Sequence, residues 1–194
     1  MPLVTVRHFT EADIPTRMRL LREERFQANL TDFAVTTGDD ALTLNMRRTI
    51  AEEQRTKQIF TLCRPQGPIV GFAWITSIDW RSQCCELSFG VLPEYRGGFG
   101  AAAVDAARAH IRTELNMQVI VNQVLEHNAQ LVSREGLAAR RSVRCAYDSY
   151  TVGQWRTACY WSETEQEERD LVRDNRARRH EVAERIRARS RRTP

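Results

Sequence analysis

The chain has 194 residues, 42% of them hydrophobic, and a formal net charge of +4; Lys57 is the single lysine among 29 basic residues. That balance excludes a disordered polyelectrolyte and bounds the molecule to one core domain with an appendage. No apolar run nears the ~18 residues of a membrane span, residues 1–10 lack a signal-peptide core, and five cysteines without a C-x-x-C pair fit neither a zinc site nor a disulfide framework. The expectation is therefore a cytoplasmic protein with reduced thiols, no metal and no membrane contact.

Alternating apolar and polar residues from Leu3 to Phe9 predict a first strand. Thr10-Glu11-Ala12-Asp13 has the form of a capping box, and Ile14, Met18 and Leu21 continue at helical spacing to about Ala28. Asn29 to Asp40 is rich in Thr, Asp and Gly and reads as a loop. Ala41 to Lys57 reads as a second helix, with Leu42, Met46 and Ile50 on one stripe. Gln58 to Arg64 and Ile69 to Ile78 are strands turned by Pro65-Gln66-Gly67-Pro68, and Cys84 to Leu92 is a further strand.

That strand runs through Pro93-Glu94-Tyr95-Arg96 into a turn with Gly97, Gly98 and Gly100, then into an alanine-rich helix from Gly100 to Leu115. A helix start presents backbone N–H groups without intrahelical partners, and glycines let an anion approach them closely. Phosphate or pyrophosphate is the expected guest. Alanines after Gly98-Phe99-Gly100 exclude the dinucleotide fingerprint, and the Lys-Ser/Thr of a Walker loop is missing. Met117 to Leu125 reads as a strand and Asn128 to Glu135 as a short helix closed by Gly136. Ser142 to Tyr150 and Trp155 to Ser162 form a hairpin about Val152-Gly153. From Glu163 the chain is a charged helix, with nine arginines against four acids between Asp170 and Pro194. Two regions follow: residues 1–162 as the folded domain and 163–194 as an Arg-rich tail.

The order β-α-α-β-β-β-α-β-α-β-β, with a glycine turn between the fourth strand and third helix, resembles the GNAT N-acyltransferase family. Glu86-Leu87-Ser88-Phe89-Gly90-Val91, the turn Pro93 to Gly100, and Val124-Leu125-Glu126-His127-Asn128 carry the match. Gly153-Gln154-Trp155-Arg156 before an apolar strand is similar to the branch that acetylates ribosomal-protein N-termini. The resemblance implies an α+β fold with a mixed, mostly antiparallel sheet of about seven strands, flanked by helices and splayed between strands four and five.

It further implies acyl-CoA as co-substrate, held by the Val91 backbone, by Arg96, by the amides of Gly97, Gly98, Phe99, Gly100 and Ala101, and by Asn128. Glu86 is the implied base, Ser88 a substrate-orienting neighbour, and Ser133 the donor of a proton to the leaving thiolate. Two departures from the family pattern stand out: anchored on Pro93 and Arg96 the turn has Phe99 at a glycine position, while anchored on Gly98 and Gly100 it has Tyr95 at the Arg position and is one residue short; and Ala129 to Glu135 holds no tyrosine. Glu23, Glu24 and Asp32 lie where a cationic acceptor would bind in relatives. The leading expectation is acyl transfer to a primary amine of a small molecule or peptide, by a protein of a family that commonly dimerises. An aminoacyl- or acyl-tRNA donor engaging the Arg-rich C-terminus is the alternative. A non-catalytic binding protein is the second alternative.

Overall fold

A single sheet takes its strands from Thr5–His8 (β1), Gln58–Cys63 (β2), Ile69–Asp79 (β3), Cys84–Val91 (β4), Val119–Leu125 (β5), Val143–Thr151 (β6) and Gln154–Thr164 (β7). Their order across it is β1-β2-β3-β4-β5-β7-β6, seven strands in all. The computed structural model describes residues 2–29, 35–52, 56–65, 67–128, 142–167, 169–170 and 173. Strands β1 to β4 pair antiparallel, as do β6 and β7, while β4 and β5 run parallel. A parallel pair needs a long crossover, and the helix Gly98–Thr113 supplies it. The expected α+β fold, with a mixed and mostly antiparallel sheet of seven strands, is the one observed.

Helices cover both faces. Ile14–Leu21 (α1), Glu24–Gln27 (α2) and Asp39–Ala51 (α3) lie on one side and Gly98–Thr113 (α4) on the other. Ala103, Ala107 and Ile111 of α4 close over Val70, Ala73, Ile75, Cys85, Leu87 and Ile120. Leu20, Leu21, Leu42 and Met46 bury Ile59 and Phe72 on the opposite face. Two glycines set the spacing there. A Cβ on Gly71 would stand 2.2 Å from the Gly90 carbonyl oxygen, and one on Gly90 would stand 2.6 Å from the Phe26 ring.

The elements depart from the sequence expectation at their ends. The helix expected from Ile14 to Ala28 is broken: Glu23 is extended (φ −71°, ψ 124°) and splits it into α1 and α2. The break frees the Glu23 carboxylate for a partner distant in sequence, which local periodicity does not register. Helix α3 starts earlier than Ala41, with Asp39 and Asp40 in its first turn where the dipole favours acids. Helix α4 starts at Gly98 rather than Gly100, so Phe99 lies in its first turn. The helix expected at Asn128 to Glu135 lies outside the described residues beyond Asn128.

Backbone contacts divide the chain into units 1–162 and 163–194. In the second unit the Thr164 hydroxyl and Glu167 carboxylate bond each other's backbone, a reciprocal helix cap. Among the described residues no helix is long and apolar enough to cross a membrane.

Candidate active site

The parallel pairing of β4 with β5 runs from Cys84 opposite Val119 to Leu87 opposite Asn122 and stops. Both strands continue, to Val91 and Leu125, so beyond Leu87 they part. The Leu92 N–H donates to the Val70 carbonyl at 2.8 Å, and Gly71 opposite Val91 is the next pair along. Antiparallel pairs alternate between bonded and non-bonded. The main-chain groups of Phe89 and Val91 therefore point away from β3, toward the side where β5 has left. Phe89 thus offers both main-chain groups to a gap and Val91 its N–H, the Val91 carbonyl already accepting from Arg96 Nε.

The glycine turn stands at the mouth of that gap. Gly97 takes φ 96°, a left-handed value that a Cβ would strain, and no side chain caps α4. The first amides of α4, from Gly98 to Gly100, consequently lack intrahelical partners. A Cβ placed on Gly97 or Gly100 would meet nothing within 4 Å, so the space above the turn is open. Phe99 does not fill it. Its ring packs edge-on to Tyr95 at 5.7 Å and lies 5.7 Å beneath the Arg64 guanidinium. Phe99 is thus directed into packing.

Arg96 is employed differently from the sequence expectation. Its Nη1 and Nη2 grip Glu23 Oε1 and Oε2 at 3.0 and 2.5 Å. Its Nε donates to the Val91 carbonyl at 3.2 Å. The guanidinium holds the Glu23 carboxyl below its usual value. Glu23 is accordingly committed to Arg96 and not displayed to a cationic acceptor.

Glu86 and Ser88 lie on the face that carries α1 to α3, opposite Thr76 and Trp74 of β3, and both are half-buried. Sequence reasoning missed their neighbour Tyr160 on β7. Its hydroxyl donates to Asp148 Oδ2 at 2.6 Å and accepts from Gln123 Nε2 at 2.6 Å. Burial first, then the bond to Asp148, push its pKa up, and the Glu86 charge adds in the same direction. Glu86 and Tyr160 are therefore within electrostatic reach of each other. Four strands, β4 to β7, assemble this group from Glu86 to Tyr160, so no local motif signals it.

Helix α2 bridges the gap. The Thr151 hydroxyl donates to the Gln27 carbonyl at 3.1 Å, and His127 Nε2 bonds the Ala28 carbonyl at 2.9 Å. Phe26 rests on Gly90 and stands edge-on to Trp74 at 6.4 Å. Beyond the end of β5, the Asn128 N–H closes a turn onto the Leu125 carbonyl at 2.8 Å. A hollow of about 390 Å³ opens there, lined by Glu126, His127, Trp155, Arg156 and Thr157. Val91, Arg96, Gly97, Gly98, Phe99, Gly100 and Ala101 thus cluster at one mouth, Glu86 and Ser88 on the adjoining face, and Asn128 past β5. Ser133 lies outside the described residues. Among the described residues no group of His, Cys, Asp or Glu could hold a metal ion.

The sequence matches a family model described as an acetyltransferase (GNAT) domain over residues 4–133. None of the curated proteins matches it. Among solved structures, the chain is similar to spermidine N-acetyltransferase from Vibrio cholerae in complex with CoA and spermine. The TM-score is 0.71 at 16% identity, covering 85% of this chain and 97% of that one. A dodecameric form of that enzyme gives 0.66 at 16%, covering 85% and 95%. A ribosomal-protein α-N-acetyltransferase in complex with coenzyme A gives 0.70 at 12%, covering 86% and 97%. At these identities the likeness is one of fold.

Proposed function

The chain belongs to the GNAT acetyltransferase family, and from that premise we propose that it transfers an acyl group from acyl-CoA to a primary amine. The observation that carries the reading is the parting of β4 from β5 beside the open glycine turn. A pantetheine arm needs amide partners, and Phe89 and Val91 offer them along an edge that β5 has vacated. A pyrophosphate needs N–H donors without a Cβ in the way, and the start of α4 presents them under open space. The residues present therefore fit the co-substrate. When bound, acyl-CoA supplies the activated acyl thioester.

The chain's own part is mostly positioning. Glu86 takes the proton from the acceptor ammonium, directly or through one water, and Ser88 orients the amine beside it. Burial, then Asp148 and the Glu86 charge, hold the proton on Tyr160 Oη, where it is donated to Asp148, so that no second anion stands on that face. Asn128 and the turn it closes border the gap on the β5 side. Two structures of similar fold carry CoA in complex, and one of them holds a polyamine. The dodecameric neighbour makes self-association a natural extension, here as a homodimer.

Calorimetry with CoA and acetyl-CoA tests the donor, with binding expected in the micromolar range and silence at millimolar ligand fatal to it. Thiol release with primary amines tests the transfer. Glu86→Gln should lower kcat/KM by ~10²–10⁴ and leave CoA affinity unchanged. Equal rates in the two proteins would remove Glu86 from the reaction. The charged-tRNA donor draws on the Arg-rich stretch, most of which lies outside the described residues. CoA is the ligand the similar structures carry.

A further inference from the structure

Arg17, in the middle of α1, is an anomaly that the acyltransfer reading leaves unused. Only 5% of its surface reaches solvent, and its Nε and Nη1 are enclosed without an acceptor. Its guanidinium lies 4.6 Å above the Trp74 ring centroid, with Phe72 at 5.7 Å and Phe9 at 5.8 Å. Cation–π contact offsets part of the desolvation cost of such a charge. It does not satisfy N–H donors, and a buried charge is ordinarily paired. No described carboxylate pairs with Arg17. A charge of the same sign acts on it: Lys57, half-buried just before β2, is depressed by burial and by Arg17. Burial pulls Arg17 itself down to about 9, which leaves it a cation at neutral pH.

The place of this charge in the sheet gives it a purpose. Trp74, on which it stacks, is the cross-strand partner of Ser88 and the diagonal neighbour of Glu86. Diagonal neighbours in an antiparallel pair stand ~7–8 Å apart. Two residues of extended chain span at most about 7 Å. Arg17 over Trp74 and Glu86 on the adjoining strand thus share one face of the sheet, an arrangement that suits a short acceptor with a carboxylate at one end and an amine at the other.

Resting on the acyltransfer reading, we infer that Arg17, flanked by Lys57, is the receptor for a carboxylate on the acyl acceptor. The acceptor class is then a free amino acid or dipeptide, amine at one end and carboxylate at the other. A polyamine has no group for Arg17 and would add charge of the wrong sign beside it. The commitment of Glu23 to Arg96 points the same way, because it removes an anion that a polyamine would need.

The experiment pairs acceptors that differ only in the carboxylate: dipeptides such as Gly-Gly and Ala-Gly against their C-terminal amides, with spermidine alongside. Thiol release from acetyl-CoA is measured for the full-length protein, and acceptor binding is measured by calorimetry on protein saturated with CoA. The free acids should be preferred at least tenfold in kcat/KM and in affinity, since a site built around buried donors rejects ligands that leave them unpaired. Arg17→Met should erase the preference, Arg17→Lys should keep part of it, and CoA affinity should stay constant in all three proteins. Amides or spermidine handled as well as the acids by the wild type would overturn the inference, as would a preference that survives Arg17→Met. If Arg17→Met does not fold, Arg17→Lys and the wild-type pairs still decide. The binding arm decides if turnover is too slow to follow. Failure of CoA to bind would instead strike the donor assignment.

Discussion

Asp13 shows how much one residue can organise at the entrance of this fold. Its carboxylate accepts from Arg7 at 2.6 and 2.7 Å, from the Thr10 N–H and hydroxyl at 3.0 Å, and from Thr61 at 3.0 Å, tying β1, α1 and β2 together. Burial works to raise its pKa, but these donors outweigh it and hold the group at about 2. The folded-state value lies below the unfolded one, so the contribution is complete above pH ~4 and is lost as pH falls toward 2. A melting series from pH 5 to 2 should show that loss in the wild type and a flatter response in Asp13→Asn, which itself should cost ~2–3 kcal/mol at pH 7. Gly90 acts through its missing side chain. Gly90→Ala would press a methyl into Phe26 and Leu20, at 2.6 and 2.9 Å, and should cost ~1–3 kcal/mol by overpacking. Adding Phe26→Ala should recover part of that loss, which a double-mutant cycle in urea will read. Additive costs would mean that the ring does not rest on Gly90 in solution.

At the scale of elements, α2 is the unit on which the site depends. It has only four residues, Glu24–Gln27, too few to be stable alone. Its position comes from contacts at both ends: Glu23 on Arg96 on one side, the Gln27 and Ala28 carbonyls on Thr151 and His127 on the other. The Glu23–Arg96 fork places a cation beside the glycine turn but spends it on a carboxylate. Glu23→Gln should release that cation for an incoming pyrophosphate and tighten CoA binding about fivefold, about 1 kcal/mol. The same change loosens α2 over the acceptor face, so kcat should fall. Calorimetry and steady-state kinetics on one protein preparation separate the effects, and CoA affinity that weakened would show Arg96 serving the donor only through Glu23.

On the scale of the molecule, a continuous sheet and two apolar layers hold residues 1–162 together without covalent help. All five cysteines are free. Cys85 is fully enclosed between β4 and α4, and burial pushes its thiol up to about 11. Reductant should leave the melting temperature unchanged. A thiol reagent should modify the half-buried Cys84 and Cys145 ahead of Cys63, Cys85 and Cys159 in the native protein. Mass spectrometry of the labelled peptides gives the order, and early labelling of Cys85 would mean that the α4 layer opens readily.

The sequence by itself determined the periodic parts. Strand alternation, the two helical stripes, the Pro-Gly hairpin and the glycine turn all follow from neighbours a few residues apart, and they suffice for the family and the sheet. Glu86 and Ser88 were legible too, because alternation along β4 assigns them a face. What only the tertiary structure decided are the pairings between distant segments: Glu23 with Arg96, Tyr160 with Asp148 and Gln123, Arg17 over Trp74. Such pairs depend on where strands and helices come to rest. Local propensity carries no record of that, because the energy that fixes it comes from burying whole faces against one another.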